Sequence, residues 1–421
     1  MQRTPPATLR ELIGVFGKIG LLSFGGPAAQ IALLQREIVH ERKWLEDDQF
    51  LKGLGFCMML PGPEAMQLAT YAGWTQRGII GGGIAGGLFL LPGACVIAGL
   101  CALYIVYGTN PEVQGAFLGI KAAVLAIVLQ AVWRLSRRAL SRRSDIVLAV
   151  LAFLMLTSLD VPFPLVIASA AVWGLLHRAS STPSNPVKAD LSNALKTLAI
   201  WGGLSLLPLV VFWLAGHDML FELARFFGQL ALTSFGGAYA ALAYMTQTVV
   251  TTQGWLSADQ MIDALGLAET TPGPLILVTQ FVGHLAGYGA GGWMLWATAG
   301  ITALWMTFMP CFLWIFLGAP YLDVLMSRPR LASALRSITA AVVGVMASLA
   351  LWFGLNVLFD TLIRTGIGPA TLLWPQLSSI SLPALACLGI SSALLWLRGW
   401  PVPMVLLLSA LLATALGWRL A

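Results

Sequence analysis

Two serine-phenylalanine-glycine-glycine tetrads, Ser23 to Gly26 and Ser234 to Gly237, and two proline-glycine-proline triplets, Pro61 to Pro63 and Pro272 to Pro274, interrupt otherwise apolar sequence. Proline lacks an amide donor and pushes the preceding residue out of the α region, so neither triplet continues a helix. A tetrad offers a hydroxyl and two glycines where backbone can approach a ligand closely, and a helix restarting after it aims free amides and a positive dipole end at that spot. A helix that restarts after Pro-Gly-Pro does the same. The chemistry is anion binding, with Ser23, Gly25, Gly26, Pro61, Gly62 and Pro63 as first-half candidates. Their counterparts are Ser234, Gly236, Gly237, Thr271, Pro272, Gly273 and Pro274.

Four ionisable residues flank these breaks. Lys18 lies five residues before the first tetrad and Lys121 lies deep in a later apolar run; both are candidates for pairing with an anion, although a lysine can also snorkel to an interface. Glu64 follows the first triplet and Glu269 precedes the second, where a carboxylate either exchanges a proton or caps a helix start. Gln67 and Thr271 can add neutral hydrogen bonds to an oxyanion.

The elements that must hold these residues are membrane helices. With 421 residues, 58% of them hydrophobic and only 10% charged, the chain has too few polar side chains to cover a water-soluble surface. Apolar runs of membrane-crossing length recur throughout, which predicts an all-α polytopic membrane protein. Irregular backbone survives at membrane depth only when buried in protein or lining a wet cavity, so paired breaks point to a cavity. No removable leader is expected at the start. Five scattered cysteines and four histidines have no metal-ligand spacing and read as packing residues, so neither metal nor cofactor is expected. The sequence has no phosphate-binding Gly-x-x-x-x-Gly-Lys-Ser/Thr loop, no His-Glu-x-x-His and no Gly-x-Ser-x-Gly, which argues against an ATP-driven pump and against a membrane-embedded enzyme. The net charge of +6 is accounted for by topology and needs no nucleic-acid partner.

The chain repeats itself. Residues 16–63 align without a gap to 227–274, with 19 identities, and further on an offset of 218 pairs Pro92 with Pro310 and Ile120 to Val124 with Ile338 to Val342. The repeat partners of Lys18 and Lys121 are Gln229 and Thr339, so both cations belong to one half, which suits a single divalent anion at a pseudo-symmetric site. Residues 1–180 and 215–421 form two six-span halves, joined by a linker and one connecting span over 181–214. Seven spans precede the second half's own six, which predicts inverted orientation and about 13 crossings. A cytoplasmic N-terminus puts 15 basic residues inside and seven outside. Residues 36–52, with four basic and five acidic groups, would then lie outside, and the first span is alternatively a broken, re-entrant element.

The stretch from Phe16 to Leu45 with its "SFGGP", the "LPGPEAMQLATYAGW" from Leu60 to Trp74 and "LPG" at Leu91 resemble the chromate ion transporter family in its long, two-domain bacterial form. The resemblance implies a secondary transporter of the inner membrane that exports chromate, with sulfate as the close structural analogue, driven by membrane potential or a proton gradient and conferring chromate resistance. The family's acidic residue and tryptophan fall on Glu37 and Trp44. Ala238 replaces the proline found at Pro27, and Thr248 stands where Glu37 would repeat, so equal roles for the halves are in doubt. Partners expected are the oxyanion, the lipid bilayer and a second copy in a homodimer. Another oxyanion as substrate is the main rival, since tetrahedral dianions differ little in charge and hydrogen-bond demand.

Overall fold

The computed structural model describes residues 7–176, 191–235, 238–322, 328–367 and 370–415, so the predicted ligands Gly236 and Gly237 lie outside the described residues. In chain order the first half contains α1 (Leu9–Leu22), α2 (Gly26–Gln35), α3 (Asp47–Met59), α4 (Glu64–Tyr107), α5 (Pro111–Ala139), α6 (Arg143–Thr157) and α7 (Phe163–Leu176). The connector is α8 (Leu191–Leu214). The second half contains α9 (Asp218–Thr233), α10 (Ala238–Thr246), α11 (Ala258–Glu269), α12 (Val278–Gly318), α13 (Pro329–Leu358), the strands β1 (Leu362–Ile367) and β2 (Ala370–Pro375), α14 (Leu382–Trp396) and α15 (Val402–Ala415).

The repeat extends to backbone angles. α1 and α9 stop at Ser23 (φ −79, ψ 59) and Ser234 (φ −78, ψ 56). α2 and α10 end in matching wide turns, Arg36–Glu41 and Gln247–Thr252. α3 and α11 begin with capping boxes, Glu46 with Gln49 and Ser257 with Gln260, and each ends just before a Pro-Gly-Pro. The triplet glycines take φ of +115 at Gly62 and +92 at Gly273, a conformation that only glycine adopts without strain. α4 folds back sharply at Arg77 and Gly78, and α12 at Gly291 and Gly292, where Gly78 and Gly292 have φ of +58 and +68 respectively.

These breaks leave short legs. α1 has 14 residues and α3 has 13, about 21 and 20 Å at 1.5 Å per residue, against a hydrocarbon core of roughly 30 Å. The predicted spans over 12–34 and 54–74 are therefore each two helices meeting at a break. Their far ends come back together. Arg77 Nε donates to the Ala7 carbonyl at 2.7 Å, Gln76 Nε2 donates to the Trp44 carbonyl at 3.0 Å, and the Phe16 and Trp44 rings lie 6.3 Å apart. Residues 7, 44 and 77 thus share one end of the bundle, and α1 with α2, then α3 with the first leg of α4, form two hairpins whose far ends meet. This corrects the expectation that 36–52 lies opposite Arg77: Trp44 is bonded to the residue beside it.

The chain divides into two compact units, each drawing on both halves of the repeat. The first, Met1–Gly99 with Ala179–Ala241 and Thr271–Ala332, holds both tetrads and both triplets. In it the small residues of α4 and α12 admit neighbours: a side chain at Gly86 would meet the Phe312 ring at 2.6 Å, and one at Gly283 would meet Ala303 at 2.5 Å. These glycines serve packing, as their spacing predicts. The second unit comprises Leu100–Arg178, Leu242–Thr270 and Ser333–Ala421. There α6 and α13 run parallel, joined by Arg336 to Asp145 at 2.9 Å and, twelve residues on, Thr157 to Ser348 at 3.0 Å. Thr157, Asp160, Leu355 and Leu373 line a cavity of about 410 Å³ together with Gln247 and Thr251, so the far end of α10 lies where α6 ends. The predicted span over 371–397 starts instead in β2, which pairs antiparallel with β1, and its helix begins at Leu382. Among the described residues five helices are long and apolar enough to cross a membrane, and α7, α14 and α15 are shorter apolar helices.

Candidate functional site

The breaks pair across the repeat. Gly62 N–H of the first triplet donates to the Ser234 carbonyl at 3.0 Å, and Gly273 N–H of the second donates to the Ser23 carbonyl at 2.8 Å. Each tetrad is thereby fastened to the triplet of the other half. The reason is local: a chain break leaves carbonyls at the end of α1 and α9 without helical partners, and the positive-φ glycines present amides to them. A second layer backs each joint. A side chain at Gly93 would strike the Pro272 carbonyl, and one at Gly62 would lie 2.6 Å from Cys311 Sγ. Gly93 and Cys311 are repeat partners, each following the proline of α4 or α12.

Polar side chains fill the centre. Ser23, Gln30 and Gln67 are all at most 1% exposed. Gln30 Nε2 donates to the Gly273 carbonyl at 2.6 Å and reaches the Ser23 carbonyl at 3.3 Å, holding the second joint. Gln67 Nε2 donates to the Pro61 carbonyl at 2.7 Å, holding the first. Gln67 therefore supports the break, where the sequence reading had it donate to an oxyanion. Ser23 Oγ and the amide oxygens of Gln30 and Gln67 have no hydrogen-bond partner among the described residues. The hydroxyl can donate to an anion; the two amide oxygens accept only, and call for water or a protonated oxyanion. The start of α2, at Gly25 and Gly26, adds helix-terminal amides beside Ser23, and Gly25 is exposed.

Lys18 is engaged as well. Its ammonium lies 2.5 Å from Glu37 Oε1, with the lysine side chain 48% exposed and Glu37 fully buried. Glu37 Oε2 has no partner among the described residues. The wide turn at Arg36–Glu41 turns Glu37 inward against α1, and Arg36 reaches the same oxygen at 3.8 Å. Glu64 opens α4 half-buried and makes no ion pair among the described residues. Pro61, Pro63, Thr271, Pro272 and Pro274 are buried around the joints, and Ser234 is 1% exposed.

The structure thus gathers Ser23, Gly25, Gly26, Pro61 to Pro63, Gln67, Ser234 and Thr271 to Pro274 in one unit, with Lys18 and Glu64 on the same elements. Lys121 and Glu269 belong to the second unit. There Lys121 faces Asp259 and Asp263, so its charge is already matched, and Glu269 closes α11 in a buried position. Sequence reasoning missed Gln30, Gly93 and Cys311. Gln30 was detectable as the one polar residue within α2 before its last position, seven residues after Ser23; Cys311 carries no such signal.

A family model described as "Chromate transporter" matches residues 10–175 and again 221–417, once per half. A protein of Synechococcus elongatus named "Probable chromate transport protein" is 30% identical over 360 residues, covering 85% of this chain and 87% of its own length. Proteins named "Chromate transport protein" in Cupriavidus metallidurans and Pseudomonas aeruginosa are 30% and 32% identical, covering 81% and 82% of this chain and 82% and 80% of theirs. No solved structure matches it.

Proposed function

We propose that this chain, which belongs to the chromate transporter family, exports chromate across the membrane as a secondary transporter and so confers chromate resistance. It is a multi-pass protein of the bacterial plasma membrane and not an enzyme. The observation that carries the reading is the pair of reciprocal bonds, Gly62 to Ser234 and Gly273 to Ser23. They support one central site in which backbone amides and the Ser23 hydroxyl meet a tetrahedral dianion. Ser23, Gly25 and Gly26 contact the anion in this reading, with the α4 start after Pro63 and the second-half counterparts. Gln30 and Gln67 hold the joints.

The returning hairpins favour a revised inverted topology. If each tetrad and triplet lies at the tip of a re-entrant pair, the four predicted spans that contain them do not cross, and 13 crossings become nine. The N-terminus stays inside and the C-terminus outside. Residues 36–52 move to the cytoplasmic side, and the basic residues divide 19 inside to three outside in place of 15 to seven, in better accord with the positive-inside rule. Helix breaks meeting at mid-membrane are the arrangement by which inverted-repeat transporters hold ions. Exchange for inward protons would add to the driving force of the potential.

Labelled chromate uptake into inverted vesicles tests the function, with sulfate as competitor. Gly25 has φ of +88, so Gly25→Val imposes strain and bulk at the start of α2, and uptake should fall at least tenfold at equal expression. Undiminished flux in that variant removes the tetrad from the site, and sulfate carried in preference to chromate overturns the substrate.

A further inference from the structure

The second unit buries a charge cluster that the anion site does not use. Lys121 of α5 lies 3.0 Å from Asp259 Oδ1 and 3.3 Å from Asp263 Oδ1, and Tyr104 of α4 donates its hydroxyl proton to Asp263 Oδ2 at 2.8 Å. Lys121 is ten residues into a helix of crossing length, about 15 Å from its start. Its side chain is 13% exposed and that of Asp263 is 8% exposed, whereas that of Asp259 is 78% exposed. Gly266 lets α11 approach this stretch of α5, since a side chain there would meet Ile120 Cγ2 at 2.5 Å.

One ammonium thus serves two carboxylates. With both ionised the cluster carries a net negative charge among buried helices, which is costly; with one protonated it is neutral. Asp259 is hydrated and keeps its charge cheaply, so the proton belongs on Asp263. The first half has no equivalent. At the repeat positions Asp48 and Lys52 form an exposed pair at 2.8 Å, and Thr339 and Leu322 replace Lys121 and Tyr104. Where the first half has an exposed Lys52 paired with Asp48, the second has a buried Asp263, so here the carboxylates outnumber the cation.

We propose that Asp263 is a proton-binding site that couples proton movement to transport, with Lys121, Asp259 and Tyr104 as positioning residues. A proton from water adds to the Asp263 carboxylate, Lys121 shifts fully to Asp259, and the cluster becomes neutral; release reverses each step. Lys121 stays charged throughout, and Tyr104 donates to Asp263 in both states. The groups facing Asp263 are Lys121 from α5, Tyr104 from α4 with buried Cys101 one turn away, and Asp259 on its own helix. α11 is followed directly in the chain by the second Pro-Gly-Pro, so a shift of this helix on protonation would be passed to that break.

The coupling rests on the transport reading, so the test has two arms. In the full-length protein, infrared difference spectra across a pH titration should show a protonated carboxyl band that disappears in Asp263→Asn and persists in Glu64→Gln. Tyr104→Phe should move its midpoint to higher pH, because a donor to the carboxylate is gone. In proteoliposomes, the ratio of chromate flux with and without a pH gradient should fall to one in Asp263→Asn. A band unchanged in Asp263→Asn, or an unchanged flux ratio, overturns the proposal. A wild-type protein that shows the band and carries no chromate overturns the substrate reading and leaves the proton site standing.

Discussion

At the scale of single residues, the site is built from backbone conformations that few side chains tolerate. Gly62 combines a φ of +115 with Cys311 Sγ 2.6 Å and Gln67 Nε2 2.9 Å from where a Cβ would sit. Gly62→Ala should therefore cost about 2–4 kcal/mol, read as a loss of thermal stability in detergent. Cys311→Ala in the same chain should recover only part of it, since the φ strain stays. The Lys18–Glu37 pair makes a second residue-scale prediction. Glu37 is fully buried, so Lys18→Met leaves a charge without its nearest partner, and a loss of about 1–3 kcal/mol is expected, moderated by the half-exposed lysine. Adding Glu37→Gln should restore part of the stability. A double-mutant cycle with no coupling would mean that the pair is incidental.

The element scale is governed by where the helix ends meet. Legs of 13 and 14 residues are as short as α7 and α15, so length alone does not decide, but bonds from Gln76 and Arg77 to Trp44 and Ala7 bring the ends of these legs together. In a cysteine-free background, a single cysteine at Asp48 should react with an impermeant thiol reagent only from the cytoplasmic side. One at Gln253 should react only from outside. Both positions are exposed, and the thirteen-span arrangement demands the opposite sidedness for each. The wide turns at Arg36–Glu41 and Gln247–Thr252 have a role here too. They rotate the ends of α2 and α10, and in the first half this brings Glu37 to Lys18.

For the whole molecule the question is the driving force. An inside-negative potential favours outward movement of a dianion by roughly 2.3 kcal/mol per charge per 100 mV, or about 4.6 kcal/mol in all, more than about a thousandfold in concentration ratio. With potential and pH gradient imposed separately on proteoliposomes, chromate flux should follow the potential. A flux that ignores it excludes both uncompensated dianion movement and exchange for inward protons, which carries still more charge, and requires electroneutral exchange for another anion. The asymmetry between halves bears on this. Lys18 with Glu37 belongs to the first half and is replaced by Gln229 and Thr248 in the second, while the aspartate cluster belongs to α11 of the second. The repeat thus supplies a symmetric joint, and the charges on either side of it have diverged.

The sequence by itself determined the membrane class, the two related halves and the four breaks. Composition, periodic apolar runs and Pro-Gly-Pro are local properties, readable without knowing what each segment touches. Ser23, Gly62 and Gly273 were legible for the same reason: a special backbone demands a special residue. What only the tertiary structure decided is how the breaks pair. That Gly62 bonds Ser234 and Gly273 bonds Ser23 depends on contacts between residues more than 170 positions apart, on which single-sequence periodicity is silent. The same holds for the meeting of the hairpin ends, because an apolar run carries no sign that Gln76 bonds Trp44 or that Arg77 bonds Ala7. Lys121 illustrates the limit most sharply. Alone in an apolar helix it reads as an anion receptor; beside Asp259 and Asp263, brought up by a helix 138 residues away in the chain, its charge is already balanced.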